Sequence, residues 1–252
     1  MITELDKIIA GQKCSQCHST RLYRLQDHRY KCAQCSLKIN IQRLRRDLQL
    51  VHYFSLEIPA NKAAKDLQLS YRTVHQQYAK YRQEIVRFLE QESRPLSGEI
   101  ECDESYFGGK QKGHRGRGAH GKVIVFGMLE RQGRILTTLV ENVTAGTLLN
   151  HIKQHAVKGS VFYTDRFRSY KSLQRYGRHI QVDHSTTFVN GINHINGLEG
   201  FWSFAKERLL KYHGISKKHF LFYLKEMEFR YNYRKENLYH LLLKIHFGPK
   251  FN

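Results

Sequence analysis

Four of the five cysteines fall in two C-x-x-C pairs, Cys14 with Cys17 and Cys32 with Cys35, and fourteen residues separate the pairs. Each pair suits a tight knuckle, and a hairpin over residues 21–31 would bring the two knuckles together. Thiolates about 2.3 Å from a common ion then complete a tetrahedron. The spacing predicts a zinc ribbon over residues 1–42. Disulfides are the competing use of four cysteines, but they belong to oxidising compartments, and the start M-I-T-E-L-D-K carries no apolar secretory segment. A segment this short also has no core of its own in which to hide thiols. With all four ligands supplied by protein, the ion is structural rather than catalytic.

Residues 43–92 follow helical spacing, within a module that runs over 43–94. Leu44, Leu48 and Val51 share one face, and Pro59 closes that stretch. Ala63, Ala64 and Leu67 then form an apolar stripe, Leu69 and Ser70 make a turn, and Ser70 is placed to cap a further helix. That helix contains Thr73, Val74, Tyr78 and Tyr81. A helix of small alanines, a short turn and a second helix describe a helix-turn-helix. Arg72, His75, Gln76 and Lys80 would face a DNA groove.

The charge balance agrees. Lys and Arg number 42 against 22 Asp and Glu, a formal net charge of +20. An excess of this size favours a polyanionic partner. A membrane surface is one such partner, yet no apolar run reaches the roughly eighteen residues of a span. The basic residues are spread along the chain among 15 Tyr and 14 Phe, which suits an extended nucleic-acid track better than a compact basic tail. The expectation is a soluble, cytoplasmic protein that works on double-stranded DNA.

In so basic a chain, E-I-E-C-D-E-S-Y-F-G-G over 99–109 puts three carboxylates, Glu101, Asp103 and Glu104, into four positions. Alternation sets Ile100 and Cys102 on one face of a strand and Glu101, Asp103 and Ser105 on the other, while Glu104 faces away from Asp103. Cys102 reads as a buried thiol. The stretch Arg94-Pro95-Leu96-Ser97-Gly98 before it reads as a linker. After it comes a basic, Gly-rich loop, 110–122, in which Arg115 and Arg117 suit a clamp on phosphates. Strands follow at Val123–Leu129 and Ile135–Val140, a helix at Thr144–Ala156, and a strand at Ser160–Thr164 ending at Asp165. A short helix at Phe167–Tyr176, a strand at His179–Asp183 and long helices near 195–212 and 217–233 complete the order. Trp202, Tyr163, Phe201 and Phe204 read as core, with Trp202 close enough to the acidic residues to stack on a displaced base.

Four motifs, D-E-S-Y-F-G-G (103–109), Y-T-D-R-F-R-S-Y (163–170), H-I-N-G-L-E-G-F-W-S-F-A-K (194–206) and E-F-R-Y-N (228–232), resemble bacterial insertion-sequence DDE transposases. The group resembled is the ISXO2-like one, in which a zinc ribbon and a helix-turn-helix precede the catalytic domain. The resemblance implies an α/β ribonuclease H-like domain over 95–252, a mixed five-stranded sheet with flanking helices. It implies a catalytic triad that holds two Mg²⁺ or Mn²⁺ ions. Asp103 and Asp165 are two members. Glu199, 34 residues after Asp165, is the third, with Asn196 as the alternative. A carboxylate is the better ligand for a hard cation, which favours Glu199. Lys206, seven residues after Glu199 and on the same face, matches the basic residue that contacts element-end DNA in such enzymes. The implied activity is binding of terminal inverted repeats, hydrolysis at the element ends and joining of the 3′ hydroxyls to target DNA. Pairing two ends implies at least a homodimer. The alternative is a DNA-binding regulator with an inactive transposase domain.

Overall fold

The computed structural model describes residues 13–14, 16–108, 121–131, 133–165, 168–182, 196–212 and 214–248. The chain divides into two compact units, Met1–Phe88 with Tyr233–Asn252, and Leu89–Asn232.

The first unit opens with three short antiparallel strands in the order β1-β2-β3, at Leu22–Arg24, Tyr30–Cys32 and Lys38–Ile39. The β1–β2 hairpin is the one expected between the cysteine pairs. Three helices follow, α1 (Ile41–Ser55), α2 (Ala60–Asp66) and α3 (Tyr71–Gln91). Asn40 caps α1 by accepting the Arg43 N–H at 3.0 Å. Pro59 stands at the N-cap of α2, where a missing N–H costs nothing. Ser70 accepts the Thr73 N–H at 3.1 Å and so starts α3. Leu44, Leu48, Val51, Phe54, Ala63, Ala64, Val74, Tyr78, Tyr81 and Ile85 are buried at the predicted helical spacing. A last helix, α7 (Leu238–Phe247), which the sequence reading did not place, buries Leu242 and Leu243 in this same unit.

The second unit is built on a five-stranded sheet in the order β6-β5-β4-β7-β8. Its strands are β4 (Glu99–Phe107), β5 (Val123–Glu130), β6 (Ile135–Val140), β7 (Val161–Thr164) and β8 (Arg178–Gln181). The first three pair antiparallel, and β7 and β8 are added parallel to β4. This is the ribonuclease H-like arrangement expected from the sequence, with the acidic strand in the middle. One face buries Ile100, Cys102, Phe126, Met128 and Phe162 against Leu148 and Ile152 of α4 (Ala145–His155) and Tyr170 and Leu173 of a 3₁₀ helix (Arg168–Arg175). The other buries Phe107, Val125, Leu129 and Ile135 against α5 (Asn196–Leu210) and α6 (Lys217–Asn232).

The stretch read as a linker is packed into this unit. Leu96 is fully buried, its N–H donates to His155 O at 2.7 Å, and Arg94 pairs with Glu130 at 3.0 Å. Proline and glycine there set the entry to β4 and do not leave a free tether.

Candidate active site and metal centre

The β4–β7 register aligns the first two acidic residues. Glu99, Ile100 and Glu101 face Val161, Phe162 and Tyr163 in parallel pairing. Two residues further along, the same register sets Asp165, just past the end of β7, opposite Asp103. Asp103 lies in the middle of the central strand β4, and Asp165 lies just past the carboxyl end of the neighbouring parallel strand β7.

Asp103 is only partly exposed. Burial pushes its carboxyl up to about 6, the charges of Glu104 and Asp165 push the same way, and hydrogen bonds from Trp202 and from the Glu104 backbone N–H pull against them. The Trp202 bond runs from Nε1 to Asp103 Oδ2 at 2.9 Å. The indole fits because Gly127 lies opposite Asp103 on β5. A Cβ on Gly127 would stand 2.6 Å from Trp202 Cζ2. A lone glycine in the apolar run Val123–Leu129 is the sequence signal for this close approach.

Helix α5 is tied to β4 at its first turn. Gly197 has no Cβ, and one added there would meet Leu129 and stand 2.8 Å from Glu101 Oε2. The space lets the Leu198 N–H donate to Glu101 Oε2 at 3.0 Å. A buried carboxylate thus satisfies one of the donors that a helix start leaves unpaired. Arg131 Nε donates to the other oxygen, Oε1, at 3.3 Å, and its guanidinium lies 3.6 Å from the Tyr163 ring centroid. Glu101 therefore supports the site. Glu199 and Asn196 are both exposed in the first turn of α5, and Lys206 is exposed two turns on, with its ammonium 5.7 Å from the Phe107 ring centroid. Asp103, Asp165 and Glu199 do not gather within 4.8 Å of one another, as the thiols described below do.

Glu104 faces the opposite layer, as alternation requires, and accepts a hydrogen bond from the buried Tyr170 hydroxyl at 2.9 Å. The first and last residues of Y-T-D-R-F-R-S-Y are thus core, and Cys102 is fully buried. The E-F-R-Y-N motif clamps an edge strand. Asn232 Oδ1 accepts the Ile135 N–H at 2.8 Å and Asn232 Nδ2 donates to Ile135 O at 3.0 Å. Glu228 accepts from the Thr137 N–H at 2.8 Å, and Lys225 donates to Thr137 O at 2.8 Å.

In the first unit, ligand atoms of Cys14, Cys17, Cys32 and Cys35 all lie within 4.8 Å of one another. The Cys14–Cys35 and Cys17–Cys32 sulfurs are 3.5 and 3.4 Å apart, near the roughly 3.8 Å edge of a zinc–thiolate tetrahedron. Both knuckles have the same backbone. His18 and Ser36 carry positive φ of 57° and 60°, and their N–H groups donate to Cys14 O and Cys32 O, each at 3.0 Å. The Gln16 and Gln34 N–H groups each lie 3.4 Å from a sulfur. The Cys35 N–H draws the Cys32 thiol down to about 6. Cys35, despite the Leu37 N–H, is pushed up to about 12 by burial and the three surrounding thiols. Four sulfurs this close compete for negative charge, a conflict a cation removes, so the donor set fits a metal ion. Arg72, His75, Gln76 and Lys80 all lie exposed along α3, with Lys80 3.7 Å from Glu84. Arg115 and Arg117 lie outside the described residues.

A family model described as the ISXO2-like transposase domain matches residues 95–232, more than half of the chain. The chain belongs to this family. It is also 44% identical over 100 residues to an uncharacterized transposase-like protein of Haemophilus influenzae, covering 39% of this chain and 81% of that one. Among solved structures it is similar to the Mos1 strand transfer complex, at 12% identity and a TM-score of 0.35 over 83% of this chain and 82% of that one. The HTLV-2 integrase catalytic core is another, at 11% identity and a TM-score of 0.35 over 56% of this chain and 88% of that one. As a DDE transposase by family, the protein has DNA as its partner, and membership implies use of divalent metal. No described helix of this transposase is long and apolar enough to cross a membrane.

Proposed function

We propose that this transposase binds the terminal inverted repeats of an insertion sequence, hydrolyses a phosphodiester at each end and joins the freed 3′ hydroxyls to target DNA. The observation that supports the reading is the parallel pairing of β4 with β7, whose register, carried two residues past Glu101 and Tyr163, brings Asp165 level with Asp103. These two, with Glu199 as third ligand and Asn196 as its rival, would hold two Mg²⁺ or Mn²⁺ ions. Such ions supply Lewis-acid stabilisation of the attacking and leaving oxygens of an in-line displacement. Three carboxylates that would share two ions need not all converge on one point.

The chain's own residues do the rest. Glu101 and Arg131 fix the start of α5, and with it the direction in which Glu199 is presented. Lys206, on the same exposed face, neutralises a phosphate of the bound end. The four cysteines hold one structural Zn²⁺, and α2 with α3 form the helix-turn-helix whose Arg72, His75, Gln76 and Lys80 read the repeat. Arg115 and Arg117 extend the phosphate contacts. Bringing two ends together requires at least a homodimer on DNA, and the site of action is the bacterial cytoplasm.

The test is cleavage and strand transfer on DNA carrying the element ends, in Mg²⁺. Glu199→Gln is expected to abolish both while DNA binding persists. Asn196→Ala should lose about 10-fold to 100-fold, as a supporting partner of a ligand does, and Lys206→Ala should mainly weaken retention of the end. Activity in Glu199→Gln with none in Asn196→Ala would transfer the third position to the asparagine. A wild-type chain that binds the ends and never cuts them would be the regulator of the alternative reading.

A further inference from the structure

We propose that Trp202 is a positioning residue of the active site, its indole N–H holding Asp103 Oδ2 and so orienting the carboxylate to engage a divalent ion. This deepens the reading above and rests on Asp103 as a metal ligand. The bond is short, at 2.9 Å, and the indole is 5% exposed. A buried indole N–H is a donor only and must find an acceptor. Here the acceptor is the carboxylate on which the chemistry depends.

The ring has little freedom. Its far edge lies over Gly127, where a Cβ would intrude at 2.6 Å, and Phe107 and Phe201 flank it with ring centroids 6.0 and 5.2 Å away. The donor is therefore pre-set by packing before any ion arrives. It is also neutral. A lysine or arginine there would orient Asp103 equally well but would neutralise it and repel a cation. An indole fixes the carboxylate and leaves its charge available, in a site where Glu104 and Asp165 already crowd Asp103 with negative charge. Donors that orient a ligating carboxylate commonly change metal affinity by about 10-fold to 100-fold.

Trp202 is the single tryptophan of the chain, so tryptophan emission reports the surroundings of this one indole. The experiment uses the full chain, with Mg²⁺ followed by fluorescence and Mn²⁺ binding followed by electron paramagnetic resonance. Mn²⁺ is taken by oxygen ligands in preference to thiolates. In the wild type Mg²⁺ is expected to shift the emission, and in Asp103→Asn it should not. Trp202→Phe keeps an aromatic ring but loses the N–H. It should bind Mn²⁺ about 10-fold to 100-fold more weakly, regain cleavage at raised ion concentration and bind DNA ends as before. Gly127→Ala, which drives the indole off its seat with its N–H intact, should weaken Mn²⁺ binding in the same direction and covers the case in which Trp202→Phe fails to fold. Wild-type Mn²⁺ affinity in Trp202→Phe, with binding lost in Asp103→Asn, would overturn the positioning role alone. Wild-type affinity in Asp103→Asn would overturn the ligand assignment and the positioning role together.

Discussion

At the residue scale the acidic cluster resolves into separate tasks. Glu101 closes the start of α5, Glu104 receives the Tyr170 hydroxyl on the opposite layer, and Asp103 is left beside Asp165 with its carboxyl pushed up to about 6 by burial and by neighbouring charge. A carboxyl raised in the folded state binds a proton there more readily than in the unfolded chain. Without a divalent ion, folding therefore loses stability as pH rises from the unfolded value near 3.8 through 6, and the full cost is present above 6. The difference corresponds to on the order of 2–3 kcal/mol. Asp103→Asn removes the charge and keeps an oxygen for the Trp202 N–H. In buffer free of divalent ions this variant is expected to melt higher than wild type at pH 8, and to lose the advantage near pH 4. Thermal denaturation at the two pH values checks it, and an equal gain at both would contradict the assignment of the cost to ionised Asp103.

At the scale of elements, E-F-R-Y-N, a motif that carries the family resemblance, holds a sheet edge. β6 is the outermost strand on its side, and Ile135 and Thr137 would otherwise expose unpaired backbone groups there. Lys225, Glu228 and Asn232, at one-turn spacings along α6, supply the missing partners. Asn232 alone replaces both a donor and an acceptor of a strand that is not present. Asn232→Ala should therefore destabilise the second unit by about 2–4 kcal/mol, since two part-buried backbone groups lose their partners. Asn232→Asp, which keeps only the acceptor, should fall between, and denaturant titration measures both. The alternation that separates Glu101 and Asp103 from Cys102 and Glu104 is local, and the sequence alone carries it. So are the cysteine spacing, the Ser70 cap and the helical stripes of α1 to α3. The roles of Gly127, Gly197, Trp202 and Asn232 depend on contacts between residues some 70 to 100 positions apart, and short-range periodicity holds no record of those. An isolated glycine in an apolar strand was the one visible trace.

At the scale of the whole molecule, the end of the chain returns to its beginning. Nothing in L-Y-H-L-L-L-K-I-H-F gives a clean polar face, so the periodicity that reveals α1 and α3 is blurred in α7. Its contacts explain the composition. Leu242 and Leu243 are buried, the Tyr239 ring sits 5.4 Å from His52 of α1, and His246 packs 4.9 Å from the Tyr81 ring of α3. His246 Nδ1 also lies 2.8 Å from Glu84 Oε2, on the helix that carries Arg72, His75, Gln76 and Lys80. α7 thus belongs to the unit proposed to read DNA, although it follows the acidic motifs in sequence. Deleting residues 233–252 should uncover the packed faces of α1 and α3 and remove the burial of two leucines, on the order of 3–5 kcal/mol. For a unit of this size that is a fall in melting temperature on the order of 10–20 °C. The Leu89–Asn232 unit keeps all its own strands and helices and should melt as before. Specific binding to the element ends should weaken in step with the first transition, while Mn²⁺ binding at Asp103 stays unchanged. Calorimetry resolves the two transitions, and a binding assay on repeat and scrambled DNA follows the consequence. A truncated chain that melts and selects the ends like the full one would show that α7 contributes nothing to the unit on which it packs.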